Sequence, residues 1–391
     1  MDNLRVERVL AAVRESRLLD TALRLIEVPS PTCNAGAVAD RLAELLRAEG
    51  FQVARPEANW PQAPVVMVRL DSGRAGRMLQ FDGHLDTVHL PFVAPRVEMG
   101  VLYGSGAADM KGGIAAALEA VRALRDTDAL EAGSVLLTAH DHHEGPWGDC
   151  RQLHSMIDQG IVGDAVLLPE YLSDRLPLVG RGLAILEIRV RRDGEPVHEV
   201  FRPANTPDVI VAGCELVRRF KSLNDQLAFR PHPIAGPGSI FVGKFAAGEI
   251  FNQSPTECRI EGTRRWLATE STEVVAAEYQ AILTDVARQS GTKIDSDFVV
   301  RRDAFEIDRG EPLVGAFQSA YRVISGKELE LGAKPFVDDG NEFVARARIP
   351  AITHGPAATG AHTLHERVSV TELVRVARVY ALTAINFCSL R

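Results

Sequence analysis

Up to residue 170, stretches of helical period alternate with short apolar runs, and most of those runs stop at a loop carrying a histidine or a carboxylate. Residues 3–27 and 35–49 space apolar and charged residues as amphipathic helices do; Pro29, Ser30 and Pro31 stop the first stretch and Gly50 the second. FQVARP, APVVMVRLDS and GRMLQFDGHLD read as strands, 112–125 as a helix, 134–139 as a strand, 150–158 as a helix and DAVLLPE as a strand. Helices placed between apolar strands must cover both faces of a largely parallel or mixed sheet, so the fold class is α/β.

Near residue 180 the texture changes. LAILEIRVRRDG, SIFVGKFAAGE and TECRIEGTRRWL alternate with period two, charged on one side, and frame the helical VIVAGCELVRRFKSL. Such a pattern describes a half-exposed antiparallel sheet with helices on one face, an α+β insertion. From about 310 the first texture returns, with helices at 311–324 and 339–347, the strand IPAITHG and a closing helix at 370–387. A chain of 391 residues exceeds what one core usually serves. The expected architecture is a discontinuous mixed-sheet domain, 1–179 and 301–391, interrupted by a smaller domain at 180–300.

A formal charge of -8 excludes the clustered Lys and Arg of a nucleic-acid protein and points to small-molecule partners. Five scattered cysteines without a CxxC pair read as reduced thiols and not as a zinc cage. With no segment of about 18 apolar residues and no signal-like start, no membrane partner is expected and the cytoplasm is the expected location.

The strand-end loops carry the chemistry. GHLDTV puts His84 and Asp86 two apart, hence on one face of a strand end, where a carboxylate can orient a metal-binding imidazole. GSGAADMKGG opens a helix but lacks the GK[ST] ending of a phosphate loop; its glycines allow a tight turn that directs Asp109 inward. TAHDHHEGPWG offers His140, Asp141, His142, His143 and Glu144; LLPE ends at Glu170; ATGAHTLHE offers His362 and His365. Singly, HxD also fits a surface pair and Asp109 a helix cap. Five such loops at the carboxyl edge of one sheet form a site. Nitrogen and carboxylate donors without thiolate suit Zn, Mn or Co, and two ions bridged by a carboxylate make a hydrolytic pair.

In this order and across nearly the whole chain, GHLDTV, GSGAADMKGG, the strand ending in HHE, the strand-end Glu170 and AHTLHERV resemble the dinuclear zinc amidohydrolases and exopeptidases that include acetylornithine deacetylase, succinyl-diaminopimelate desuccinylase, aminoacylase and glutamate carboxypeptidase. The resemblance implies metal ligands at His84, Asp109 (bridging), Glu144, Glu170 and His362, with Asp86 orienting His84, while His365 is a weaker candidate. It implies an acidic pair 34 and 35 residues beyond the bridging Asp, the first member a general base and the second a ligand. Here those positions hold His143 and Glu144, a departure. Either His143 is the base, or a one-residue shift makes Glu144 the base and leaves Asp141 or His143 as the ligand. His140 and His142 are expected to be scaffold.

For the insertion the resemblance implies a ferredoxin-like lid and dimerisation domain. Its His198 would stabilise the oxyanion across a homodimer, with Asn205 in the following segment. Asn252 and Arg265 would hold a substrate carboxylate, although Arg264 beside Arg265 is a rival. HGPAATGAH, with Gly355, and FVDDGNEF are expected to line the pocket. The function implied is metal-dependent hydrolysis of an amide bond in a small N-acyl amino acid, dipeptide or ureido acid, using two divalent ions, zinc first and Co or Mn next. The alternative is a non-catalytic homologue that binds a metal or small acidic ligand, His143 marking a lost base.

Overall fold

A computed structural model describes residues 3–390. Its chain divides into two units, one of Met1–Leu178, Ile307–Gly332 and Asp338–Arg391, the other of Val179–Glu306 with Ala333–Val337. The inserted unit therefore runs beyond the expected 300. Its last long strand, Lys293–Arg302, pairs antiparallel with Leu183–Arg191 along its length and keeps the chain in that unit. The charged, half-exposed KIDSDFVVRR gave too faint an alternation to announce it.

The first unit is built on a six-stranded mixed sheet in the order Val53–Ala54, Val66–Asp71, Ser134–His140, Met78–His84, Ala165–Leu168, Ala351–Thr353. The last four run parallel, and Val66–Asp71 is antiparallel to the strand on either side of it. Ser134–His140 is buried along its whole length, which is why SVLLTAH is an apolar run without alternation. Helix Lys111–Thr127 buries every residue from Lys111 to Leu124, and it packs against the equally buried helix Val370–Cys388. Each large aliphatic side chain sealed there contributes roughly 1.5–3 kcal/mol of transfer free energy. Glu15–Ile26 is the contrasting surface helix, burying Leu18, Thr21, Ala22, Leu25 and Ile26 on one stripe.

Parallel strands deliver their carboxyl ends to one edge, and His84, His140 and the Pro169–Glu170 step all stand there. A separate small sheet, Ala358–Thr359, Arg367–Ser369, Val101–Tyr103 and Arg96–Glu98, ties residues 358–369 beside the glycine-rich loop, with Val368 opposite Leu102. That pairing explains how His362, so late in the chain, meets Asp109.

In the second unit four antiparallel strands stand in the order Ser239–Ala247, Glu257–Arg265, Leu183–Arg191, Lys293–Arg302. Helices Val209–Leu227 and Thr272–Ser290 bury Leu216, Phe220, Tyr279 and Leu283 against Leu186, Ile188 and Ile260. Asp208 caps the first helix by accepting from the Ile210 and Val211 amides, and Ser271 the second by accepting from Val274. The sequence pattern locates only the first of these helices, because in the second only Val275, Tyr279, Leu283 and Val286 are buried, a narrow stripe among polar residues. Among the described residues no helix is long and apolar enough to cross a membrane.

Candidate metal centre

His84 closes its strand with Nδ1 2.9 Å from the main-chain oxygen of Asp86. A carbonyl only accepts, so Nδ1 carries the proton and a neutral ring turns its Nε2 lone pair outward. That atom lies 3.1 Å from Asp109 Oδ1 and 3.5 Å from Glu170 Oε1, the arrangement of ligands around a cation. On the other side of Asp109, Oδ2 is 3.2 Å from His362 Nε2, which is also 3.2 Å from Glu144 Oε1. Asp109 is thus shared by two donor sets, His84 with Glu170 and His362 with Glu144. All but His362 are buried. The donors are imidazole nitrogens and carboxylate oxygens, a set that fits two divalent ions.

The loop bearing Asp109 is fixed from beneath. Glu366 Oε2 accepts from the amides of Gly106, Ala108 and Asp109 at 2.9, 3.2 and 3.4 Å. Gly104 and Gly106 take φ of 137° and 85°, conformations that favour glycine. Lys111, the lysine of this glycine-rich loop, is fully buried and donates Nζ to Val28 O at 3.0 Å; burial pushes its pKa down to about 7. At Gly355 an added Cβ would lie 1.9 Å from the Glu170 carbonyl oxygen, so this glycine lets two strand ends meet beside the centre.

The side chains of the histidine-rich stretch turn to different neighbours. Asp86, expected behind His84, stands with its carboxylate 3.6 Å from His84 Nδ1 and also accepts the amides of His143 (3.2 Å) and Glu144 (2.9 Å). It clamps the loop, and its main-chain oxygen sets the His84 tautomer. Asp141 accepts from the amides of Cys33, Ala35 and His142, which leaves it no part among the facing donors. His142 is turned edge-on to Trp60 with ring centroids 4.4 Å apart. His143 stacks on His84 at 3.9 Å, with Nε2 3.9 Å from Glu170 Oε1 and Nδ1 2.9 Å from Asp339 Oδ2. Glu144 therefore faces His362, and His143 stands beside the other donor set. His140 lies one strand away with Asp82 and Asp339; burial opposes its charged form, but these carboxylates hold its pKa well above the ordinary value. His365 is exposed.

Burial alone would raise the Asp109 pKa, but His362 and His84 outweigh it and hold it well below the carboxylate range. Glu170 is pushed up to about 7 by burial and by Asp109, and so is Glu366. A carboxyl whose folded pKa exceeds its unfolded value of about 4.3 binds an extra proton in the folded state between those values. Its stabilisation is present below the unfolded pKa and lost as pH rises through the folded one. The metal-free protein should therefore melt at progressively lower temperature as pH rises from about 4.3 to about 7. Saturating zinc should flatten that slope, as differential scanning calorimetry across the range would show; equal slopes with and without metal would refute it.

In the inserted unit, His198 Nε2 is 3.0 Å from Asn252 Nδ2, so two expected residues meet there. Arg264 is buried and paired with Glu278 at 3.1 Å, whereas Arg265 is only partly covered and its pKa is lowered by burial and by Arg181. Of the two arginines, Arg264 is thus the structural one. Asn205 is exposed in the loop before helix Val209–Leu227. The sequence reading missed Glu366, which works through backbone amides, and took FVDDGNEF as pocket lining without singling out Asp339.

Among known proteins, the model of Peptidase family M20/M25/M40 matches residues 81–386. Succinyl-diaminopimelate desuccinylase of Alkalilimnicola ehrlichii is 29% identical over 387 residues, covering 93% of this chain and 97% of its own length. In structure the chain is similar to aminopeptidase PepT from Bacillus cereus, with a TM-score of 0.80 at 19% identity, over 96% of this chain and 99% of that one. It is also similar to the Bacillus subtilis YXEP protein, a dinuclear metal binding peptidase, with a TM-score of 0.73 at 14% identity over 96% and 99% of the two chains. At such identities the structural likeness speaks for the fold alone. The matched stretch contains His84, Asp109, Glu144, Glu170 and His362, and by it the chain belongs to peptidase family M20/M25/M40, a family of metal-dependent hydrolases of amide bonds.

Proposed function

We propose that this chain hydrolyses the amide bond of a small N-acyl amino acid, dipeptide or ureido acid. The observation that carries this reading is the single carboxylate of Asp109 set between His84 and His362. His84 and Glu170 would hold one ion and Glu144 and His362 the other, with Asp109 common to both; zinc suits the donors first, cobalt or manganese next. When bound, such ions lower the pKa of a water to about 7 and polarise a carbonyl. His143 Nε2 takes the proton from the attacking water and passes it to the leaving amine. Stacking on His84 and Asp339 behind Nδ1 keep the ring in place for both transfers.

The inserted unit acts as a ferredoxin-like lid and dimer contact of a cytoplasmic homodimer. His198 stabilises the oxyanion and Gly355 lines the pocket, while Arg265, Asn252 and Asn205 bind the substrate's carboxylate, for which a guanidinium fork is suited. The desuccinylase relative favours an N-acyl amino acid within this substrate class. The test is a panel of N-acyl amino acids, dipeptides and ureido acids offered to the protein as loaded, after chelation, and after reloading. Hydrolysis of one class, lost on chelation and restored by metal, is the expected result. Protein that holds two ions yet hydrolyses none of the panel would favour the non-catalytic binder.

A further inference from the structure

One strand over from His84, the same arrangement recurs. His84 and His140 are register partners in the parallel pair Met78–His84 and Ser134–His140. His84 directs Nδ1 to the main-chain oxygen of Asp86, and His140 directs its Nδ1 to the main-chain oxygen of Asp141 at 3.0 Å. The carbonyl again only accepts, so the proton is on Nδ1 and the Nε2 of a neutral ring has nothing to donate. At His140 that lone pair faces Asp82 Oδ2 at 3.3 Å and Asp339 Oδ2 at 3.4 Å. All three side chains are at most 2% exposed. Asp82 spends its other oxygen on the Thr138 hydroxyl, which fixes the carboxylate's orientation.

Two carboxylates converging on one imidazole nitrogen in a closed interior need a positive charge between them, supplied either by a second proton on the ring or by a cation bound to its lone pair. Their ligand atoms lie within 4.8 Å of one another, close enough to share one ion. We propose that Asp82, His140 and Asp339 form a third cation site, distinct from the two donor sets around Asp109 and suited to a zinc-type divalent ion by its one nitrogen and two carboxylates. The site uses none of the five residues of the dinuclear reading and does not depend on it. It also bears on the reaction: His143 Nδ1 lies 2.9 Å from the same Asp339 Oδ2, so an ion there would anchor the carboxylate against which His143 rests.

The experiment counts ions. Metal-free protein is loaded with Zn²⁺, and separately with Mn²⁺, freed of excess by gel filtration and analysed by plasma mass spectrometry. Wild type, Asp82→Asn, His140→Gln and Asp109→Asn are compared. Three ions per chain are expected in wild type, two in Asp82→Asn and His140→Gln, and one in Asp109→Asn. That remaining ion should raise the melting temperature of Asp109→Asn, and the rise should vanish in the Asp82→Asn/Asp109→Asn double variant. Wild type holding two ions, with both still present in Asp82→Asn, would overturn the proposal; His140 would then be an imidazolium paired with its two aspartates. One ion in wild type, kept by Asp109→Asn and lost by Asp82→Asn, would support this site while sinking the dinuclear reading. If Asp82→Asn does not fold, Thr138→Val serves instead: the third ion should fall in occupancy at limiting zinc, and unchanged occupancy counts against the site.

Discussion

Asp109→Asn should strip both ions from the dinuclear centre and lower kcat/KM by at least about 10³-fold, more than the loss of a single electrostatic contact ordinarily costs. The reason is topological. Among the described residues, only Asp109 has one carboxylate oxygen against His84 and the other against His362. An amide keeps the shape but loses the charge, and its nitrogen presents protons where a lone pair is needed. Outer-shell changes already weaken metal binding by about 10- to 100-fold, and a shared ligand must cost each ion more. Metal analysis and kinetics on the same preparation check this. Full loading of the centre with near-normal turnover would show that Asp109 does not bridge.

Much of that centre is legible without coordinates because the parallel sheet imposes order. An apolar run that ends in a polar residue marks a strand's carboxyl end, and the sheet gathers such ends at one edge. His84 and Glu170 could be found in this way, and Asp109 followed from the glycines that turn its loop. Other residues left no comparable signal. Asp339 arrives from the turn before the short helix Gly340–Ala345, and Asp82 sits inside an apolar run where a polar residue has no period to betray it. Glu366 acts on amides, which look alike in every sequence. Period two does put Arg264 and Arg265 on opposite faces, but only the packing of helix Thr272–Ser290, through Glu278, tells which is buried. The same limit explains Asp86: spacing places it beside His84, while the loop amides that it accepts come from residues 57 and 58 positions away.

The second large effect separates the two neighbours in HHE. His143→Ala is expected to lower kcat by about 10²- to 10⁴-fold, the usual share of a general base, while the dinuclear centre keeps its ions and KM changes little. Glu144→Gln should behave differently, losing an ion, because Glu144 Oε1 faces His362 Nε2 at 3.2 Å across from Asp109. The prediction follows from direction: the amides of both residues are held by Asp86, so their side chains cannot exchange places without releasing that clamp. His143→Glu supplies the acidic pair implied by the family resemblance and should recover part of the activity that alanine removes, since a carboxylate can take the same proton. If Glu144→Gln instead keeps both ions and loses turnover, while His143→Ala remains active, then Glu144 is the base. The ion now assigned to Glu144 and His362 would then rest on Asp109 and His362, and Asp339 would serve only to position a structural ring.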